Sequence, residues 1–306
     1  MLHPPTIQRL LPLVSGLVGV VAGLFVALPA AAQPSFSGGP MPSATDLVPV
    51  AVMTDVERVG PGETFHVIVT FDVEPMWHIY WAFPGDSGMA TEINLKMPAG
   101  FVAAPIRWPR PETITSSQGT TYGFGGRTAL AVPVTAPAVL EDGRAEIAAD
   151  IAWLVCKEAC LLGSADKTLS IVTTSTPTAP GDRVMSDASR KAMDRLSRPV
   201  GKSTQSAATF DGTTLVVTGP MPTVESPEVT LRGVPQPGIE FGDATSEIAD
   251  GRFTVRVPVM LDREASLGKP LVLTGQVLLG RRHRDPSYEF RIDATASADP
   301  ATRRSQ

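Results

Sequence analysis

The sequence predicts an all-β protein: two β-sandwich domains joined by a linker that holds one short helix. Three observations carry this prediction. Short runs alternate apolar and polar residues, Gly, Pro and Asp punctuate them, and only one stretch has helical spacing. Pro (29) and Gly (27) are abundant among 306 residues while aromatics make up 6%, which suits many short strands separated by turns.

In chain order, residues 1–32 read as a signal peptide. Arg9 precedes an apolar stretch from Leu10 to Leu28, and Pro29-Ala-Ala-Ala32 is a small-residue cleavage pattern, with cleavage after Ala32. The stretch is long enough to span a bilayer, so an uncleaved signal anchor is the alternative. No cysteine follows the cleavage site, which argues against lipidation. Residues 33–44 (QPSFSGGPMPSA) read as a flexible lead-in.

The first β block covers 45–175. Over 64–71, Phe65, Val67, Val69 and Phe71 share one face behind the Gly60-Pro61-Gly62 turn, the pattern of a half-buried strand. Further strands are predicted over 90–97, 128–134, 145–155 and 168–174, together a sandwich. Residues 176–207 form the linker, with a helix predicted over 184–196 from Met185, Ala188, Ala192, Met193 and Leu196. A second sandwich without cysteines covers 208–295, its clearest strands at 214–218, 253–261, 271–279 and 288–292, and 296–306 reads as a disordered tail.

The two blocks resemble each other. Val132-Pro-Val134 and Val257-Pro-Val259 each precede two further strand patterns, and aligning them sets Gly280 opposite Cys156 with a one-residue shift. Only the first copy then holds thiols. The 26 basic and 31 acidic residues include no basic run, which argues against nucleic acid as a partner. Beyond the N-terminal segment no stretch reaches the ~18 apolar residues of a membrane helix, so contact with a membrane is expected only through a partner or an uncleaved anchor.

Cys156 and Cys160 are the only cysteines, four apart, behind an export signal. A structural staple is the ordinary role of such a pair in an exported domain. Two arguments favour exchange chemistry. A bridge closing about five residues stabilises by only ~2 kcal/mol in the chain-entropy model, against nearer ~4 kcal/mol for long cross-sheet bridges. Strand phase puts Ile147, Ile151, Trp153 and Val155 on one face and Glu146, Asp150 and Cys156 on the other, so Cys156 is expected to leave the core face where a partner can reach it. Lys157 favours a thiolate and Glu158 opposes it.

Two thiolates with a methionine could instead hold Cu(I). The four histidines, at 3, 66, 78 and 283, show no ligand spacing, and no metal or other cofactor is expected. In the run Trp77-His-Ile-Tyr-Trp81, phase assigns Trp77, Ile79 and Trp81 inward and leaves His78 and Tyr80 as rim residues; Asp86 and Ser87 close a turn between Gly85 and Gly88.

Five segments, in order, resemble the N-terminal periplasmic domain of the DsbD and ScsB families of thiol:disulfide interchange proteins. They are Met76-Trp-His-Ile-Tyr-Trp81, Pro84-Gly-Asp-Ser-Gly88, Ile106-Arg-Trp-Pro109, Thr121-Tyr-Gly-Phe124 and Trp153-Leu-Val-Cys-Lys-Glu-Ala-Cys160. The layout with a second β-domain is similar to the ScsB-type branch. The resemblance implies immunoglobulin-like sandwiches in the periplasm and a dithiol–disulfide relay, with Cys160 forming the mixed disulfide and Cys156 resolving it. It also implies a cap loop, Tyr122-Gly123-Phe124, over the cysteines. Beside that, His78, Tyr80, Asp86, Lys157 and Glu158 are the candidate rim or docking residues.

The partners so implied are thioredoxin-like proteins, a membrane thiol–disulfide transporter, and periplasmic disulfide proteins as acceptors, in the setting of cytochrome c biogenesis or copper tolerance. The sequence up to Gln306 shows no membrane conduit or thioredoxin-like domain, so a protein-disulfide reductase component of this kind is expected to draw electrons from another polypeptide. The alternatives are a non-catalytic protein-binding β-sandwich with a structural disulfide, and a Cu(I)-binding protein of a copper-tolerance system.

Overall fold

The computed structural model describes residues 42–117, 119–179, 184–262, 264 and 270–294. The segments expected to be a signal peptide (1–32), most of the lead-in (33–44) and a tail (296–306) lie outside them. Among the described residues no helix is long and apolar enough to cross a membrane.

The first sandwich opens with a single helical turn, α1 (Ala44–Leu47), although the sequence pattern suggested a flexible lead-in to residue 44. Ser43 caps it: its hydroxyl accepts from the Asp46 N–H while the Asp46 carboxylate accepts from the Ser43 N–H, a reciprocal box that satisfies two otherwise orphaned donors. Eleven strands follow. They are β1 (Val50–Thr54), β2 (Arg58–Val59), β3 (Thr64–Asp72), β4 (His78–Gly85), β5 (Glu92–Lys96), β6 (Val102–Ala103), β7 (Glu112–Ser116), β8 (Gly119–Phe124), β9 (Arg127–Thr135), β10 (Gly143–Cys156) and β11 (Cys160–Thr173).

One sheet runs β1-β3-β9-β6 and the other β2-β11-β10-β4-β8-β7, with β5 also paired to β10. Their inner faces meet in a core that includes Phe65, Phe71, Ile79, Trp81, Leu130, Ile147 and Trp153. Phe71 meets Trp153 edge to face at 6.1 Å, a geometry aromatic quadrupoles favour.

The longest element is the β10–β11 hairpin, paired without interruption from Gly143↔Thr173 to Cys156↔Cys160. Only its distal part was legible as a second strand, because 160–167 carries a weak inner face: Leu161, Gly163, Ala165 and Lys167. Gly163 sits opposite Trp153, and a Cβ there would lie 2.3 Å from the indole, so the small residue is what lets the fully buried ring lie across β11.

The helix α2 (Asp187–Met193) is shorter than the 184–196 predicted. Ser186 caps its start and Asp194 ends it, freeing Leu196 to bridge to Pro109. Ala192 and Leu196 pack on Ile68, Ala129 and Ala131, covering the outer face of β3 and β9, and the Ser189 hydroxyl donates to the Thr54 carbonyl at 2.9 Å. The helix is thus docked on the first sandwich.

The second sandwich comprises β12 (Arg198–Pro199), β13 (Ala207–Phe210), β14 (Thr214–Pro220), β15 (Val229–Gly233), β16 (Ile239–Phe241), β17 (Thr245–Ala249), β18 (Arg252–Leu261), β19 (Val272–Leu279) and β20 (Ser287–Asp293). Its sheets are β12-β20-β19-β15 and β13-β14-β18-β16, with β17 also on β18. The connectivity parallels the first: β9 and β18 each lie in one sheet and lead to a hairpin in the other, and a two-residue strand (β2, β12) pairs in parallel with the last strand of each hairpin.

Polar contacts join the two sandwiches. Arg107 pairs with Glu289 at 2.7 Å and donates to the Ser197 carbonyl, while Gln276 Nε2 donates to the carbonyls of Trp108 and Pro109. Burial raises the pKa of Glu289, and Arg107 opposes that shift.

Candidate functional site

Cys156 and Cys160 form a disulfide across the last pair of the β10–β11 hairpin, with their Cα atoms 4.2 Å apart. Lys157, Glu158 and Ala159 make the exposed tip, closed by the Lys157 N–H donating to the Ala159 carbonyl at 3.2 Å. The two sulfurs differ in access. Cys160 begins β11 at the sheet end and is exposed, whereas Cys156 is only 3% accessible.

That burial corrects the expectation of a surface-facing Cys156. The strand phase holds, since Ala152 and Leu154 on the same face are half-buried while Ile151, Trp153 and Val155 are in the core. The residue is covered because β10 is flanked on both sides at this point, by Cys160 of β11 and by His78 of β4, which is its register partner. His78 thus stands directly beside Cys156, half-buried, and burial holds its imidazole pKa below the usual value, leaving it neutral near pH 7.

Tyr80 is not a rim residue. It is 3% accessible, meets His78 edge to face at 5.0 Å, and is overlaid by Gly88, where a Cβ would fall 2.2 Å from the ring. Gly88 also has φ +104°, so both the turn and the close approach require glycine. Burial raises the Tyr80 pKa. Asp86 acts within the fold: its carboxylate accepts from the Thr120 N–H at 2.8 Å and its own N–H donates to the Thr120 carbonyl at 3.0 Å, tying the β4–β5 loop to the β7–β8 hairpin. Lys157 and Glu158 are exposed on the tip, as a rim position requires.

The expected cap is also corrected. In the β4–β8 ladder Ile79 faces Phe124 and Tyr80 faces Gly123, so of the three only Gly123 shares the face of His78 and Cys156. Tyr122 and Phe124 point the other way. Tyr122 meets Trp81 edge to face at 6.4 Å and lies 3.9 Å beneath the Arg232 guanidinium of the second sandwich; Phe124 stacks on Trp108 at 6.2 Å.

One residue of the site escaped sequence reasoning. Met76, two positions before His78, is 77% exposed and has φ 72°, an uncommon backbone for a non-glycine residue. Leu162, 73% exposed, lies two residues beyond Cys160 on the same strand face. The exposed Leu162 thus neighbours Cys160 along β11, and the exposed Met76 precedes β4, whose His78 pairs with Cys156. Among the described residues no group of three or more His, Cys, Asp or Glu lies together in an arrangement that could hold a metal ion.

Residues 44–171 match the family model described as thiol:disulfide interchange protein DsbD, N-terminal. Among solved structures the chain is similar to the N-terminal periplasmic domain of ScsB from Proteus mirabilis, at 16% identity over 80% of this chain and 92% of that one, with a TM-score of 0.45. It is also similar to the Neisseria meningitidis DsbD n-terminal domain in the reduced form, at 18% identity over 44% of this chain and 90% of that one, with a TM-score of 0.28. No curated protein matches the sequence. The first sandwich, which the family model spans with its cysteine hairpin, is thus a domain of the DsbD N-terminal family.

Proposed function

We propose that the protein is a periplasmic thiol–disulfide interchange module whose only redox centre is Cys156–Cys160. It takes reducing equivalents from a thioredoxin-like or membrane donor and passes them to disulfide-bonded acceptors. The observation that carries this reading is the asymmetry of the pair: one sulfur exposed at an open hairpin tip, the other buried beside a neutral histidine.

In the first half-reaction a donor thiolate attacks Cys160 Sγ. The Cys156–Cys160 bond breaks, Cys156 leaves as thiolate, and the donor's second thiol then displaces Cys160 to close the donor disulfide. Two electrons and two protons have moved to this chain. In the second half-reaction the Cys160 thiolate attacks an acceptor disulfide, and Cys156 resolves the mixed disulfide by attacking Cys160. The acceptor leaves as a dithiol and the Cys156–Cys160 bond is restored. His78, neutral and across the ladder from Cys156, accepts the proton as Cys156 becomes a thiolate.

The exposed Leu162 and Met76 offer apolar contact at this end of the sheet without a charge requirement, which suits several partners of one fold. The roles are tested by trapping. Reduced Cys156→Ala protein should accumulate a mixed disulfide through Cys160 with a disulfide-bonded thioredoxin-fold protein, and Cys160→Ala should accumulate far less. Equal trapping by both variants would contradict the assignment.

A further inference from the structure

A cleft of about 680 Å³ lies between the sandwiches. Five of the side chains lining it are arginines: Arg110, Arg127, Arg195, Arg198 and Arg284. Only three are carboxylates, those of Glu112, Asp194 and Asp285. The cleft is therefore net positive in a chain whose formal charge is −5.

Part of this charge has a role within the fold. Arg110 donates to the carbonyls of Leu279, Gly280 and Pro286, and Arg127 pairs with Asp72 at 2.7 Å. Arg198 and Arg284 form no ion pair among the described residues, and Arg195 donates only to the Arg127 carbonyl. All three are exposed. Three guanidiniums thus face solvent from three separate elements: the turn after α2, β12, and the β19–β20 connection.

The position of the cleft links it to the cysteines. Its wall includes Phe124 and Gly125 at the end of β8. Phe124 pairs with Ile79 of β4, whose neighbour His78 pairs with Cys156, which in turn pairs with Cys160. Cys160, Cys156, His78 and Phe124 thus lie on four successive strands at one end of one sheet. Three strand spacings put the cleft wall about 15 Å from Cys160.

Resting on the relay reading, we infer that this arginine cleft is a second contact for the redox partner and takes an acidic segment beside the partner's reactive cysteine. A partner docked at Cys160 that extends about 15 Å along the sheet toward β8 reaches the cleft wall, where positive charge would be repelled. The cleft steers encounter and sets which thioredoxin-like proteins exchange quickly, while the sulfur chemistry stays at the hairpin.

The test uses two thiol peptides, each a cysteine, five glycines as a spacer of about 15 Å, and a tail of four glutamates or four lysines. In each case the peptide thiolate attacks Cys160 Sγ and Cys156 leaves, so the rate of mixed-disulfide formation is the readout. The glutamate peptide should react about tenfold faster than the lysine peptide at low salt, and the difference should shrink at about 0.5 M salt as screening shortens to a few Å. In the full chain carrying R195E, R198E and R284E the preference should invert, with the dithiothreitol rate unchanged. Equal rates for the two peptides, or a preference that survives the triple substitution, overturns the cleft proposal alone. A disulfide that neither peptide nor dithiothreitol opens would instead overturn the relay reading on which it rests.

Discussion

The β10–β11 and β19–β20 hairpins hold equivalent places in their sandwiches, yet their tips differ in what they do. The first tip is three exposed residues closed by a disulfide. The second runs from Gly280, with φ +73°, to Pro286, and is held by Asp285, which accepts from the Arg282 N–H at 2.8 Å, while Arg281 pairs with Glu228. Arg110 of the first sandwich then donates to the carbonyls of Leu279, Gly280 and Pro286. A Cβ on Gly280 would lie 2.2 Å from the Asp285 carboxylate, so a cysteine could not take that place without rebuilding the turn. The second hairpin serves as a joint between the sandwiches, while the first is free at its tip.

The comparison can be broken most forcefully at the hairpin stem. Gly163→Ala pushes a methyl into the Trp153 ring, which is fully buried and has nowhere to go, and should cost about 3 kcal/mol, read as a lowered denaturation midpoint. Gly275→Ala in β19 meets the Arg232 carbonyl at 2.3 Å and should cost a similar amount in the second sandwich.

At the joint, Arg110→Ala removes charge-assisted bonds to three carbonyls and should cost about 2 kcal/mol. Amide hydrogen exchange should quicken over 279–286 while the cysteine tip keeps its protection. Exchange that quickens equally at both tips would show that the two hairpins are not independent.

Smaller effects separate the residues around the open tip. His78 has a folded pKa below its unfolded value of about 6.5, so the unfolded chain binds the extra proton first. The stability gained by keeping it neutral is complete above about pH 6.5 and is lost as pH falls toward the folded pKa; His78→Asn should remove this dependence in denaturation curves at pH 5 and pH 7.5. Smallest of all, Lys157→Gln or Glu158→Gln should change the rate of exchange by no more than about fivefold, because both groups are exposed and screened.

The sequence revealed what depends on one strand alone. The alternation in β3, β10 and β18 is strong because one face of each is buried, and the phase of Cys156 follows from it. What depends on a neighbouring strand was hidden. Cys156 is buried because β4 pairs beside it, and nothing in the run around the cysteines announces His78 as that neighbour. Tyr122 and Phe124 were assigned to the cysteine face, but their direction is set by register with Ile79 and Tyr80, which leaves only Gly123 there. Met76 carried no signal, since its positive φ follows from the turn into β4 rather than from its residue type. The first half of β11 was missed because Gly163, which accommodates Trp153, and Ala165, opposite Ile151, are small, and small residues weaken the alternation that marks a strand.

If the free tip carries an exchangeable disulfide while its counterpart serves as a joint, the difference is written in the redox behaviour of the cysteine pair. Equilibrating the full chain with glutathione or dithiothreitol buffers gives the reduction potential of Cys156–Cys160 directly. An exchangeable pair should lie among the exchange proteins, at about −120 to −270 mV; a value below about −300 mV, the range of resistant structural disulfides, would make it a staple instead.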